Sequence, residues 1–368
     1  MAGQREYARS GVDYDVLDRV KREAIALAAA TAPLLAASGA TEVAASRGSS
    51  AYVVQVQGMT LAIVVEGLGT KSVLATDYLA ATGISRFADI ATDAVAAIIN
   101  DVVSVGAVPL VITAYFSTGD AAWYSDERRS LELLRGWQAA CLEAGAVWGG
   151  GESPALPGVV AADALELAGS ALGVVPTGRS AVLGQDVAVG DRIVLLASSG
   201  LHANGASLAR RVVADQPEGL LTPLPSGRTL GDALLDPSKL YASFVRELLT
   251  TTVVPKFLNG VTGHGFLKIM RAPADFRYII ERVPEVPEVL EFLVSALALS
   301  PAEAYSTLNM GAGYVAIVSP QDLDETLRIA AATGHTAIDA GEVVEGPRSL
   351  SIPSLDIDYA SDELRLGG

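Results

Sequence analysis

Cysteine is almost missing from the chain, with Cys141 the one thiol among 368 residues. A single thiol excludes an intramolecular disulfide and any cysteine-rich zinc site. Within the helical-looking stretch WQAACLEAG it reads as a small buried residue rather than a nucleophile. Histidine is scarce too, at positions 202, 264 and 335. No Ser-His-Asp order and no H-E-x-x-H spacing is available, which argues against triad hydrolases and zinc proteases. Basic residues number 26 against 42 acidic ones, for a net charge of −16, and no basic block occurs. Such a chain lacks the cationic footprint that nucleic acids require. A nucleotide substrate remains open, because bound metal ions can bring phosphates to carboxylates. Long apolar runs are absent as well: AIALAAATAPLLAASGA is interrupted by Pro33, and MAGQREYARS holds no apolar signal core. No membrane partner and a cytoplasmic location are therefore expected.

Half of the residues are apolar and the length suits two domains with sizeable cores. AYVVQV and LAIVVE read as two strands of a hairpin around a glycine turn. Their near-continuous apolar character predicts burial on both faces. A helix is expected from about Ile90 to Val105, then strand PLVITAYF, a helix over 125–144 and strand AVWGGGE. ALELAGSALGVV follows as a strand, and PTGRSAVLGQDVAVG as a connector. The boundary is placed near Val175, giving domains 1–175 and 176–368. The second half opens with strand DRIVLLASSG and helix NGASLARRVV. Helices at 240–252, 264–271, 287–296 and 320–334 then alternate with strands FRYIIER, GYVAIVS and TAIDAGEVV. Hairpins mixed with helices make this an α+β, or mixed α/β, fold.

Glycine-rich strand ends carry the candidate chemistry. VVEGLGTKS ends an apolar run in two glycines and a lysine, which can turn tightly around a ligand and face a phosphate. It is not a Walker A loop, since the G-x-x-x-x-G-K spacing is missing. On the helix DIATDAVAAIINDVVSVG, Asp93, Asn100 and Ser104 share one stripe, with Asp101 about 80° from Asp93. The stripe contains none of the long charged side chains expected of a solvated face. Mg²⁺ prefers oxygen ligands, and Glu66, Asp93, Asp101 and Glu152 all neighbour glycine-rich strand ends. ASSGLHANG places Ser198, Ser199, His202 and Asn204 in one turn before a helix, where backbone N–H groups can bind an anion. His202 there could exchange a proton near neutral pH; the alternative is that Ser and Asn only cap the helix.

Taken in order, YARSGVDYDV, EGLGTKSVLA, INDVVSVGAVPL, GGGESPALPG, GDRIVLLASSGLHANGASL, LLDPSKLY, VTGHGF and YSTLNMGAGY resemble the phosphoribosylformylglycinamidine cyclo-ligase (AIR synthetase) family. The wider superfamily includes selenophosphate synthetase and thiamine-monophosphate kinase. The resemblance implies a two-domain fold: an N-terminal, ATP-binding domain whose mixed sheet joins a barrel in a homodimer, and a C-terminal α/β sandwich. It implies ATP and Mg²⁺ as cofactors and a phosphoribosyl amidine as substrate. Carried onto this chain, the ATP site comprises Gly67, Gly69, Thr70, Lys71, Asn100, Gly150, Gly151 and Glu152. The metal ligands become Glu66, Asp93 and Asp101. Lys71, His202 and Asn204 take catalytic roles, and Ser198, Ser199, Gly200 and Asn309 bind substrate. The implied reaction has two steps: ATP phosphorylates a formamide oxygen, and an internal nitrogen then displaces phosphate from the iminophosphate carbon.

The chain departs from the family pattern at several positions. An aspartate becomes Glu66, a lysine becomes Ala8, and an aspartate becomes Ala114. A glutamate is replaced by Ala155, a histidine by Gly260 and a glycine by His264, while the N-terminal glycine-rich loop shrinks to SRGSS. These losses favour, as alternatives, an enzyme phosphorylating another amide or small acceptor, or an inactive nucleotide-binding relative.

Overall fold

The structure, a computed structural model, describes residues 14–364, with side chains from residue 19 onward. Most of YARSGVDYDV, including Ala8, lies outside the described residues. Two sheets organise the chain, one in each half. The first has six strands in the order β1-β2-β3-β6-β4-β5, drawn from Ala40–Glu42, Tyr52–Val56, Met59–Gly67, Leu165–Val175, Val108–Thr118 and Val147–Glu152. All of its pairings are antiparallel except that of β4 with β5.

The second sheet has seven strands in the order β13-β12-β9-β11-β7-β10-β8. These are Ile357–Ala360, Ser349–Ile352, Arg277–Ile280, Ala337–Val344, Arg192–Ala197, Ala312–Val318 and Phe257–Gly260. Strand β10, between β7 and the edge strand β8, is buried at every residue, so it reads as a continuous apolar run.

Helix α1 covers Tyr14–Ala29, and α2, Lys71–Thr82, starts directly after the glycine loop. Helix α3, Phe87–Ser104, is the hinge of the architecture. Phe87, Ile90, Val95, Ile98 and Val102 recur at helical spacing and are fully buried, each worth about 1.5–3 kcal/mol of burial. It packs on β3 and β6 and against α4, Glu127–Ala144, and reaches β8 in the other half. The remaining helices, α5 to α10, are Ala206–Asp215, Leu230–Leu234, Ala242–Thr250, Glu288–Ala296, Pro301–Thr307 and Leu323–Ala332.

Four expectations need correction. The segment expected as a helix over 264–271 is a 3₁₀ turn, Gly265–Arg271, wedged where a Cβ at Gly265 would meet Tyr305 O at 2.1 Å. Helix α5 begins at Ala206, behind Gly205 at φ 96°, rather than at Asn204. The tail 349–360 forms two strands that its polar, Pro353-interrupted sequence conceals. The β2–β3 hairpin is buried on one face within the chain: Ala62 and Val64 turn inward, while Ile63 and Val65 are 49% and 74% exposed.

Candidate functional site

The polar stripe of α3 sews the two halves together. Asp93 Oδ1 accepts the backbone N–H and the hydroxyl of Ser238 at 2.8 and 2.5 Å. Asn100 Nδ2 donates to Lys239 O and its Oδ1 accepts the Tyr241 N–H, both at 2.9 Å. Ser104 Oγ lies 3.2 Å from Tyr314 Oη. Tyr314 in turn stacks on Tyr241 with ring centroids 4.9 Å apart. LLDPSKLY is thus the second half's docking strap.

Lys71 departs furthest from its expected place. Its Nζ stands 2.7 Å from Asp93 Oδ2 and donates to Asp236 O at 2.9 Å, and both side chains of the pair are 0% exposed. Burial pushes the Asp93 carboxyl above its ordinary range, opposed by Lys71 and Ser238. Lys71 Nζ thus faces Asp93 and Asp236 O, and neither Lys71 nor Asp93 lines the cleft described below. Asn100, expected at the ATP, spends one donor and one acceptor on the strap and still lines the cleft described below.

Other expected residues are likewise consumed by the fold. Asn309 Oδ1 accepts from Ser198 Oγ and Gly311 N, and its Nδ2 donates to Gly200 O. Ser199 Oγ donates to Pro237 O. Ser198, Ser199, Gly200 and Asn309 therefore shape the ASSGL turn, and none of their side chains lines the cleft described below. Gly150, Gly151 and Glu152 sit on the edge strand β5, where a Cβ at Gly151 would meet Ala114 O at 2.0 Å. Close strand packing accounts for that glycine. In the GLGTK loop, the Gly69 N–H is accepted by the Glu166 carboxylate, which also lies 3.4 Å from where a Cβ of Gly67 would be. An internal carboxylate already holds the donor expected to take a phosphate. Thr70 Oγ1 pairs with Ser207 Oγ at 3.1 Å.

A cleft of about 140 Å³ remains at the seam, and it does gather expected residues: Glu66 and Gly67 from β3, Asn100 and Asp101 from α3, His202 and Asn204 from the ASSGLHANG turn. Ala96 and Ala97 form its low wall. Gly260, Thr262 and Lys268 line it from the second half, and Lys268 was not anticipated. Glu66 is exposed, yet desolvation by the surrounding protein raises its carboxyl to about 7, with a smaller push from the Asp101 charge. Asp101 is raised by burial, against the pull of Lys268 and Arg271.

His202 is buried at φ 61°, its Nε2 accepting the Ser199 N–H at 3.1 Å. Burial, and then the positive charges of Lys71 and Lys239, push it down to about 3. It stays neutral at physiological pH, so it can lend a hydrogen bond but not the neutral-pH proton exchange expected of it. With Nε2 accepting, the ring proton resides on Nδ1.

The described side chains do not by themselves complete a divalent-cation site. Glu66 and Asp101 bring two carboxylates, but the cleft also holds the Lys268 ammonium, and Asp93 is spent elsewhere. Among the described residues no group of three His, Cys, Asp or Glu side chains could hold a metal ion. Mg²⁺ is usually held by one or two carboxylates together with waters and substrate phosphate oxygens, so Glu66 and Asp101 would need those further ligands to complete a site.

A second cavity, of about 790 Å³, adjoins the cleft, within the usual range for small-molecule sites. Ser50, in the lining of this cavity, donates its hydroxyl proton to Asn259 Oδ1 at 3.2 Å and stands near Asp101 of the cleft. Arg47, Arg271 and Arg348 line the cavity together with Asp362, Arg47 being paired with Glu42 and Arg348 with Asp275, and Phe257, Leu258 and Pro273 add apolar surface.

Comparison with known proteins is consistent from end to end. Residues 48–175 match the family described as AIR synthase related protein, N-terminal domain, and residues 188–351 its C-terminal domain. A phosphoribosylformylglycinamidine cyclo-ligase of Methanothermobacter thermautotrophicus is 32% identical over 343 residues, covering 92% of this chain and 94% of that one. One from Streptococcus pyogenes serotype M1 is 32% identical over 334 residues, covering 88% and 92%. Among solved structures, the hydrogenase maturation protein HypE of E. coli shares the fold with a TM-score of 0.56 at 17% identity, covering 82% and 85%. T. maritima PurL complexed with ATP does so with a TM-score of 0.54 at 17% identity, covering 83% of this chain and 44% of that one. Among the described residues no helix is long and apolar enough to cross a membrane.

Proposed function

The chain belongs to the AIR synthase related protein family, and on that premise we propose that it is an ATP-dependent cyclo-ligase making aminoimidazole ribonucleotide from formylglycinamidine ribonucleotide. The observation that carries the reading is coverage: a relative of that name aligns along 92% of this chain and 94% of itself. Both domains and the seam between them are therefore included. The cytoplasm, as the site of purine biosynthesis, is the compartment this reading implies.

The γ-phosphoryl of ATP passes to the formamide oxygen, ADP leaves, and the C–O bond gains iminophosphate character. The internal amine nitrogen then attacks the same carbon, the C–O bond breaks, and inorganic phosphate carries the oxygen away. Holding nucleophile and carbon in one molecule gives the second step a high effective molarity. The cleft suits the reacting groups by size, and the adjoining arginine-lined cavity suits a phosphorylated ribosyl or nucleotide body. Positioned charge supplies most of the catalysis in phosphoryl transfer. Here that charge comes from Lys268 and Arg271, with neutral His202 as a hydrogen-bond donor at the wall.

The domains are taken as 1–175 and 176–368, following the two sheets. A homodimer is part of the proposal, since Ile63, Leu172, Val111 and Val147 form one cross-strand row on the open face of the first sheet. The test of function is direct: incubate the purified chain with ATP and formylglycinamidine ribonucleotide and follow aminoimidazole ribonucleotide and phosphate. Phosphate release without the imidazole product would instead favour phosphorylation of another acceptor, a reading supported by the replacement of a family histidine with Gly260 at the cleft wall.

A further inference from the structure

Resting on the reading of the second cavity as part of the ligand site, we propose that Arg271 is its phosphate anchor: the guanidinium in the cavity wall takes the phosphate ester of a sugar phosphate or nucleotide. Pairing carries this. Three arginines line the cavity, and two are committed, Arg47 to Glu42 at 2.6 Å and Arg348 to Asp275 at 3.3 Å. Arg271 makes no ion pair and no hydrogen bond among the described residues, although it is only partly exposed. Asp101 pulls on its charge without coming into ion-pair range. A guanidinium presents five donors in a rigid fork that matches phosphate oxygens, so an unpartnered one in a cavity wall is a place for an oxyanion. Its backbone is held from behind: Arg271 ends the 3₁₀ turn whose Gly265 would bring a Cβ to 2.1 Å from Tyr305 O, and Ala272 after it is fully buried.

Further donors open on the same cavity. The backbone N–H groups of Gly48 and Ser50 find no acceptor among the described residues. Asn259, almost wholly buried, commits its Oδ1 to Ser50 and leaves Nδ2 without a partner among those residues. The lining holds one carboxylate among the described residues, Asp362, and it is exposed. A phosphate ester brings three acceptor oxygens to donors arriving from several sides, where a carboxylate brings two. Val105, Val182, Phe257 and Leu258 supply the buried apolar surface that suits the uncharged body of such a ligand. Arg271 thereby makes the cavity selective for phosphorylated ligands over their dephosphorylated counterparts.

Calorimetric titration of the intact chain tests this without turnover. Ribose 5-phosphate and ADP are the probes, and wild type is compared with Arg271→Gln and Arg348→Gln, each first checked for a cooperative melt. At least one probe is expected to bind wild type and to lose at least about tenfold in Arg271→Gln, the worth of one charge-assisted contact. Arg348→Gln, whose arginine is already paired, should leave affinity within about threefold. A response to ribose 5-phosphate assigns the anchor to the sugar phosphate, and a response to ADP alone assigns it to the nucleotide. Equal affinity in wild type and Arg271→Gln overturns the proposal, as does an equal loss in Arg348→Gln or the failure of both probes to bind at millimolar concentration. Should Arg271→Gln not fold, phenylglyoxal labelling of the wild-type chain decides, read by peptide mass spectrometry. Protection of Arg271 by the bound probe supports the anchor; an Arg271 that labels equally with and without probe, or never labels, overturns it. A chain that binds through Arg271 but makes no imidazole keeps the anchor and loses the cyclo-ligase reading, so the two fail separately.

Discussion

Lys71 and Asp93 form an ion pair, 2.7 Å between Nζ and Oδ2, that no solvent reaches and that the second half of the chain completes through Asp236 O and Ser238. Breaking a buried pair by removing one partner leaves the other charge stranded, at about 3–5 kcal/mol. Lys71→Met is therefore expected to lower the unfolding free energy by about that amount, read from denaturant titration. A variant with unchanged stability but no turnover would return Lys71 to the active centre.

Gly313 stands where a Cβ would meet Tyr241 Oη at 1.9 Å and His202 Cε1 at 2.8 Å. Gly313→Ala must displace the Tyr241 ring, the imidazole, or both. A stability loss of about 1–3 kcal/mol is expected from overpacking. Turnover per folded molecule should fall with it, since the displaced groups sit at the cleft wall. Activity and a denaturation curve on one preparation check both.

All three histidines are held below their ordinary value, His202 at about 3 and His264 and His335 at about 4, in each case mainly by burial. The unfolded chain therefore binds more protons than the native one between about pH 4 and 6.5. Stability rises with pH across that window and is lost on acidification, by up to about 1.4 kcal/mol per pH unit for each histidine. Glu66, raised to about 7, works against this between about 4.5 and 7. His335→Gln lies outside the cleft and should flatten the slope between pH 5 and 6.5. An unaltered slope would mean that His335 is protonated in the fold.

Val65, 74% exposed on β3, neighbours the open apolar row of the first sheet. Val65→Glu should convert a dimer to a monomer in light scattering while leaving the monomer's secondary structure intact. A wild-type chain that is already monomeric at micromolar concentration would remove this face as a dimer surface.

Most strand ends and the long helices α3 and α4 were legible because their signals are local, whereas helix α2, directly after the glycine loop, was not expected. Periodicity marked α3, and apolar runs punctuated by glycine marked β2 to β6. What a polar side chain meets across the fold was not. Asp93, Asn100 and Ser104 shared a stripe by arithmetic, yet only the strap 236–241, some 140 residues downstream, decides that the stripe is a seam. Lys71 looked like a phosphate ligand beside its glycines, but its nearest acceptor is 22 residues on, inside the core. Lys268 hid in the apolar run FLKIM, where a lone lysine flanked by buried Leu267 and Ile269 was itself the available signal. The carboxylates Glu66 and Asp101 were found because both lie beside small residues that leave them room.

The stitching of α3 to the strap makes the two halves poor modules for recombination. A chimaera joined at the connector near residue 180, with each half from a different homologue, inherits the acceptors and donors of Asp93 and Asn100 from a strap that never evolved beside them. The same dependence applies to shortened chains: residues 1–175 made alone would present Lys71 and Asp93 to water, with Asp236 and Ser238 gone. Such a fragment keeps its sheet but loses the floor of the cleft, so neither half can be assayed as a stand-in for the whole.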